Sequence, residues 1–165
     1  MIVYGVDPLS DGAVCCVGKK ASGRFCLVAH YPTSRVVIPG GHNAWAYTGP
    51  DQHNADAVYL ENAAVYGRQT GRKAAQSIGI SWAYLYRDLV QAFKIPIQVV
   101  DVHSWQKLLL PGAGDTKQRA AKTFRALFGV EPPRTGSKKR DTGIVDAALI
   151  AAWGYNQDEH PEEGR

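Results

Sequence analysis

Asp7, Glu61 and Asp146 each stand where a short apolar run ends or begins. Asp7 closes Ile2-Val3-Tyr4-Gly5-Val6, Glu61 closes Ala57-Val58-Tyr59-Leu60, and Asp146 opens Ala147-Ala148-Leu149-Ile150-Ala151-Ala152-Trp153. A carboxylate at the end of a buried strand keeps its charge only where a basic partner, backbone donors or a metal ion replace its lost hydration. Several such groups in one place favour a hard divalent cation, which takes oxygen ligands. With a basic surface around them, they point to metal-dependent chemistry on phosphodiesters. Two Mg2+ ions ~3.5 to 4 Å apart would activate a water and steady the leaving 3'-oxygen of an in-line displacement. Each acid also has an ordinary reading: backbone donors for Asp7, a surface salt bridge for Glu61, and a favourable charge near a helix N-terminus for Asp146.

Asp141 is the natural fourth ligand, but its spacing is awkward. Five residues of helix turn through about 500°, so Asp141 and Asp146 would point ~140° apart if both were helical. Asp141 can join the site only from a non-helical turn, which Gly143 could permit; otherwise it caps the last helix. Basic residues bracket the acids. Arg68, Arg72 and Lys73 follow Glu61, and between positions 116 and 140 Lys117, Arg119, Lys122, Arg125, Arg134, Lys138, Lys139 and Arg140 meet only Glu131. We read Lys138, Lys139 and Arg140 as phosphate contacts because they lie just before Asp141, and Arg119 and Arg125 as solvated surface. Lys107 is a possible phosphate ligand. Tyr66 could stack on an unpaired base or serve in packing.

The rest of the chain limits what this site can be. At 165 residues and 45% apolar content it reads as one domain over residues 1–155, with 156–165 as an acidic, frayed tail. Setting that tail aside leaves 18 basic and 11 acidic residues, a body of charge +7 suited to polyanions. No membrane span or signal peptide is legible, so the expected location is the cytoplasm of a bacterial or phage-infected cell. Cys15, Cys16 and Cys26 have neither the number nor the spacing of a disulfide framework or zinc site. No Walker loop, G-x-G-x-x-G, nucleophile elbow or H-x-x-x-H occurs, which leaves nucleotide-driven and serine-based chemistry without support.

Strands are expected at 2–7, 12–18 and 24–30 as an antiparallel meander, with a loop or poorly formed helix from Pro39 to Asn54. A fourth strand at 57–61 precedes a helix carrying Ala74, Ile78, Trp82, Leu85, Leu89 and Phe93, which must stop before Ile95-Pro96. A fifth strand runs from Ile97 to Val102. Ser104 is the expected cap of a short helix stopping at Pro111-Gly112, and Asp115 with Gln118 resembles a capping box for a helix ended by Gly129. Glu131 to Arg140 reads as a loop, and the last helix as Thr142 to Trp153, ended by Gly154. This order fits an α/β, ribonuclease H-like fold: a mixed five-stranded sheet, three strands antiparallel and then two parallel, flanked by helices. Pairing strands 1 and 4 side by side would make Asp7 and Glu61 neighbours.

These pieces together resemble the RuvC-type Holliday junction resolvases, particularly phage-type members. The matching segments are Gly5-Val6-Asp7-Pro8, Leu60-Glu61, the Gln69 to Trp82 stretch, Trp105-Gln106-Lys107 leading to Leu110-Pro111-Gly112, and Val145 to Ala151, in the right order over most of the chain. The resemblance implies a homodimer that binds a four-way DNA junction and nicks two strands symmetrically with Mg2+. It gives Asp7, Glu61 and Asp146 as metal ligands, and Lys107 and Lys117 as basic residues near the site. The family carries an acid or a histidine three or four residues before its last aspartate, where this chain has Gly143 and Thr142. Two other functions fit the same acids: a ribonuclease H-like nuclease acting on flaps or RNA–DNA hybrids, and a non-catalytic module binding branched DNA. An actin-like phosphotransferase would need a second domain that the chain does not show.

Overall fold

The computed structural model describes the chain except for residues 9, 10, 40, 41, 48, 50–53, 63–70 and 160–165. Six strands form one mixed sheet in the order β4-β3-β2-β1-β5-β6: β1 (Val3–Val6), β2 (Ala13–Lys19), β3 (Phe25–Ile38), β4 (His42–Tyr47), β5 (Ala57–Glu61) and β6 (Ile97–Val100). Strands β1 to β4 pair antiparallel in succession, whereas β1, β5 and β6 run parallel. Among the described residues four helices cover it: α1 (Arg72–Phe93), α2 (Val102–Leu109), α3 (Thr116–Phe128) and α4 (Lys138–Glu159).

Strand β1 is apolar at every position because both its faces are covered. Tyr4 and Val6 face a core shared with Val58, Leu60 and the α1 residues Leu85, Leu89 and Phe93. Val3 joins the opposite core with Cys15, Tyr59, Trp105, Phe124 and the central residues of α4. The parallel part of the sheet is thus a middle layer between α1 and the α2, α3, α4 group. Helix α4 is buried on nearly every side from Gly143 to Ala152, apart from Asp146, and is the central helix of its layer. No described helix is long and apolar enough to cross a membrane.

Three expectations are corrected. The sheet has six strands, not five, because part of the stretch read as a loop from Pro39 to Asn54 is β4. Its period of two is carried by Ala44 and Ala46, which are buried, rather than by Trp45 and Tyr47, which are partly exposed. Alanines give little hydrophobic signal in a sequence, yet here their small size suits a strand packed close to α1. Strand β3 is correspondingly longer than expected, pairing with β2 through Pro32 and with β4 from Thr33 onward. Thr33 marks the change of partner, donating both its backbone N–H and its hydroxyl to the Gly12 carbonyl, at 3.1 and 3.2 Å.

The second correction concerns α4, which starts at Lys138 and runs through Gly154 to Glu159. Gly154 does not stop it: any side chain there would enter the Tyr59 ring, so the glycine permits packing instead. The supposed frayed segment is tied down as far as it is described. The Tyr59 hydroxyl donates to Asp158 Oδ1 at 2.8 Å, and Lys19 Nζ pairs with Glu159 Oε2 at 2.7 Å. The third correction is a cap: Asp101, not Ser104, caps α2 by accepting from the His103 N–H at 2.7 Å, and the preceding strand ends at Val100. The Asp115 cap of α3 and the left-handed Gly129 at its end are as expected.

Helix α4 crosses β1 at very close range. A Cβ added to Gly5 would collide with the backbone of Ala147 and Ala151. Because the obstacle is backbone, no rotamer change relieves it, and Gly5→Ala is expected to destabilise the fold by about 3 kcal/mol, the upper end of overpacking penalties. Urea unfolding of the two proteins checks this; equal midpoints would show that α4 can move away from the sheet at little cost.

Candidate active site

Two of the three acids are positioned by strand register. Val6 pairs with Leu60 in the parallel ladder between β1 and β5, so the following residues, Asp7 and Glu61, lie next to each other at the strand ends. The β1 end is also where the sheet changes direction, with β5 on one side and antiparallel β2 on the other. In open α/β sheets such a switch leaves a crevice at the carboxyl ends of the strands. Asp7 is 8% exposed there, and its backbone N–H donates to the Ala13 carbonyl at 3.0 Å.

Asp146 arrives from α4. The start of this helix passes directly over the end of β1: a Cβ at Gly143 would lie 2.7 Å from the Asp11 carbonyl oxygen and 3.3 Å from Asp7 Oδ2. Asp146 follows one turn later and senses the other two acids. Burial, then the charges of Asp7 and Glu61, push its carboxyl up to about 8, with Lys117 opposing. Glu61 is pushed up to about 7, by burial first and then by Asp7, against a hydrogen bond from Trp105. The cluster is therefore short of positive charge.

Two tryptophans hold Glu61 in place. Trp105 Nε1 donates to Glu61 Oε2 at 2.8 Å, and Trp82 Nε1 donates to the Glu61 backbone carbonyl at 2.9 Å. One comes from α2 and the other from α1, so both helical layers fix this residue. Neither role is visible from residue spacing. A fourth strand-end acid, Asp101 after β6, adds to the charge acting on Glu61 while capping α2. It obeys the rule that singles out Asp7 and Glu61, an acid closing an apolar run, and could have been found by it.

Asp141 does not join the cluster. It lies in the first turn of α4 and is helical, as Asp146 is, so the two point apart as the 3.6-residue period requires. Its Oδ1 accepts from both the backbone N–H and the hydroxyl of Thr135, each at 2.7 Å, and these bonds hold its carboxyl below the usual range. It ties the preceding loop to the helix. Gly143, rather than breaking the helix, lets it approach Asp7.

Lys117, in the first turn of α3, is the basic residue whose charge reaches Asp146. Lys138, Lys139 and Arg140 are exposed in the first turn of α4, part of the helix and not of a loop. Lys73 is exposed at the start of α1, and Lys107 in the last turn of α2. Tyr66, Arg68 and the Arg72 side chain lie outside the described residues. Arg125 pairs with Glu131 at 2.8 Å. Arg119 is structural rather than solvated surface: it donates to the carbonyls of Leu110 and Gly112 and fixes the turn before α3.

The donor set, carboxylates raised first by burial and then by one another's charge, matches the chemistry of a hard divalent cation. The spacing does not yet do so: among the described residues, no group of three or more His, Cys, Asp or Glu side chains is arranged to hold a metal ion. The acids feel one another without sharing a coordination sphere.

No protein-family model and no curated protein matches the sequence. Solved structures do match. Thermus thermophilus RuvC in complex with a Holliday junction substrate aligns over 95% of this chain and 96% of its own, with TM-score 0.58 and 16% identity. Thermus thermophilus RuvC by itself aligns over 96% and 97%, again with TM-score 0.58 and 16% identity. The chain has the ribonuclease H-like fold of these structures, its antiparallel and parallel strands flanked by helices as expected.

Two outcomes follow from the electrostatics. Folded-state carboxyls raised above their unfolded values contribute stability that is fully present below about pH 4 and lost as the pH climbs through about 7 and about 8. A cation that displaces those protons should therefore stabilise the chain more at about pH 8.5 than at about pH 5, the stabilisation at pH 8.5 being about 2.7 kcal/mol when the cation is at 100 times its dissociation constant there. Calorimetry with and without Mg2+ or Mn2+ reads this, and equal shifts at both pH values would argue against binding at these acids. Trp105→Phe should weaken Mn2+ affinity ~10- to 100-fold, as loss of a partner that orients a ligand does. Titration followed by electron paramagnetic resonance would show it, and an unchanged affinity would separate Trp105 from the site.

Proposed function

We propose that the chain is a structure-selective DNA endonuclease that resolves four-way junctions by divalent-metal phosphodiester hydrolysis. The observation that carries this reading is the register of β1 against β5, which sets Asp7 beside Glu61 at the strand ends, beneath the helix that brings Asp146. The likeness in fold to a protein solved with a Holliday junction substrate supports the choice of DNA.

Asp7, Glu61 and Asp146 would hold two Mg2+ ions, their carboxylates supplying the oxygen ligands a hard cation takes. When bound, the ions would activate a water and stabilise the leaving oxygen. Trp105 and Trp82 keep Glu61 aimed at the crevice. Lys117 offsets part of the negative charge, and the exposed Lys73, Lys107, Lys138, Lys139 and Arg140 supply phosphate contacts that orient the strand without reading its sequence. Asp141 supports the fold at the start of α4 and is not among the ligands. The reading includes a homodimer, since two identical sites related by a twofold axis can nick paired phosphates of a pseudo-symmetric junction. It also includes a phage-type place within the RuvC-type family.

A labelled four-way junction, a flap and an RNA–DNA hybrid, each incubated with the protein and Mg2+, test the assignment. The junction should be cut fastest, by paired nicks, and Asp7→Asn should stop cutting while junction binding persists. Preference for the hybrid or flap would move the substrate within the same chemistry. Wild-type protein that binds the junction and never cuts it would leave a branched-DNA binding module.

A further inference from the structure

Helix α2 has only eight residues, a length that is marginal for a helix in water, and yet it carries two groups of the site. Trp105 donates to Glu61 Oε2, and Lys107 stands exposed in the last turn. Asp101 caps its first turn. At the other end, carbonyls that a helix cannot satisfy internally are taken up by side chains of α3. Thr123 Oγ1 donates to the Leu109 carbonyl at 2.9 Å, and Arg119 Nη1 donates to that of Leu110.

Arg119 does more than close a helix end. Its Nη1 also donates to the Gly112 carbonyl at 2.8 Å, and its Nη2 donates to Oγ1 of Thr116, the first residue of α3, at 3.2 Å. One planar guanidinium therefore spans the connection from the end of α2 to the start of α3. That connection could not keep its shape unaided, because Gly112 and Gly114 take left-handed conformations, with φ of 92° and 105°, and glycines leave an unbraced chain many alternatives. The arginine is turned inward: Arg119 Nε is buried and has no hydrogen-bond partner among the described residues. Its donors are committed to the turn. What the turn separates are Lys107, in the last turn of α2, and Lys117, in the first turn of α3, whose charge reaches Asp146.

We propose that Arg119 is a positioning residue of the site: by bracing the turn from Leu110 to Thr116 it holds Lys107 and Lys117 at a fixed spacing, so that both grip one DNA strand at once. This rests on the endonuclease reading, which gives these lysines phosphate contacts. Arg119 itself touches no DNA. Two lysines already held in place lose less freedom on gripping a strand than two that must first be brought together. A lysine at position 119 would keep the charge and lose the fork, since an ammonium cannot reproduce that planar set of bonds.

The test uses binding, so that it does not depend on cleavage. Affinity of the full chain for a labelled four-way junction is read by anisotropy over a range of KCl concentrations, with Ca2+ replacing Mg2+. Lys117→Ala, which removes one phosphate contact, should lower the slope of log affinity against log salt by about 1. Arg119→Lys removes no charge, and a merely structural change would leave that slope as it is. Here it should fall by about 1 as well, since either change leaves one lysine gripping the strand instead of two. In the double variant the losses should not add, giving about 1 rather than about 2, whereas Lys73→Ala, on helix α1, should add in full to Arg119→Lys. Thermal midpoints near that of wild type show that the variants are folded. If Arg119→Lys does not fold, Thr123→Val, which removes the second brace, takes its place in the same cycle. Additive losses in the Lys117 pair, or a slope for the Arg119 variant equal to wild type, would overturn the positioning role and leave the endonuclease reading standing. Wild-type protein that does not bind branched DNA at all would overturn both.

Discussion

The close crossing of α4 over β1 is the constraint on which the rest of the structure depends. Gly5 on the strand and Ala147 and Ala151 on the helix bring two backbones together with no room for a further methyl group. Gly143 and Gly154 extend the same close fit towards the two ends of the helix, one over the turn at Asp11 and Gly12 and the other on the Tyr59 ring. Small residues along one line of the helix set its height above the sheet, and that height determines how near Asp146 comes to Asp7. Thr135 with Asp141 at one end, and Lys19 with Glu159 and Tyr59 with Asp158 at the other, secure the helix lengthwise.

What the crossing assembles is electrostatically unfavourable by itself. Glu61 and Asp146 lose hydration and repel Asp7 and each other, while among the described residues Trp105 and Lys117 act against the rise of their carboxyls. Sites where local rules of stability are broken are commonly sites of function, because selection retains the unfavourable arrangement for what it can bind. The surrounding lysines and arginine are exposed and distributed over the first turns of α1, α3 and α4 and the end of α2. That arrangement suits an extended polyanion better than a compact one, since a strand can touch several helix ends while its phosphodiester reaches the crevice.

Much of the fold was legible in the sequence because local rules and tertiary outcome agree there. The meander, the α1 periodicity, the Asp115 cap and the Gly129 stop are all decided within a few residues. Strand β4 was not legible, since its inward positions are alanines whose burial depends on α1 lying against them. Asp101 closes an apolar run as Asp7 and Glu61 do. Its position at the start of a helix gives it a second use as a cap.

By itself, the sequence determined which residues end strands, and hence that Asp7 and Glu61 would meet if β1 and β5 paired. Strand alternation and turn chemistry are short-range properties that pairing preserves. Only the tertiary structure decided that Asp141 bonds Thr135 instead of the acidic cluster and that Gly154 lies inside a helix. It also decided that two indoles hold Glu61. Each of these turns on the distance between elements remote in the chain, which is set by how small the residues are where backbones cross.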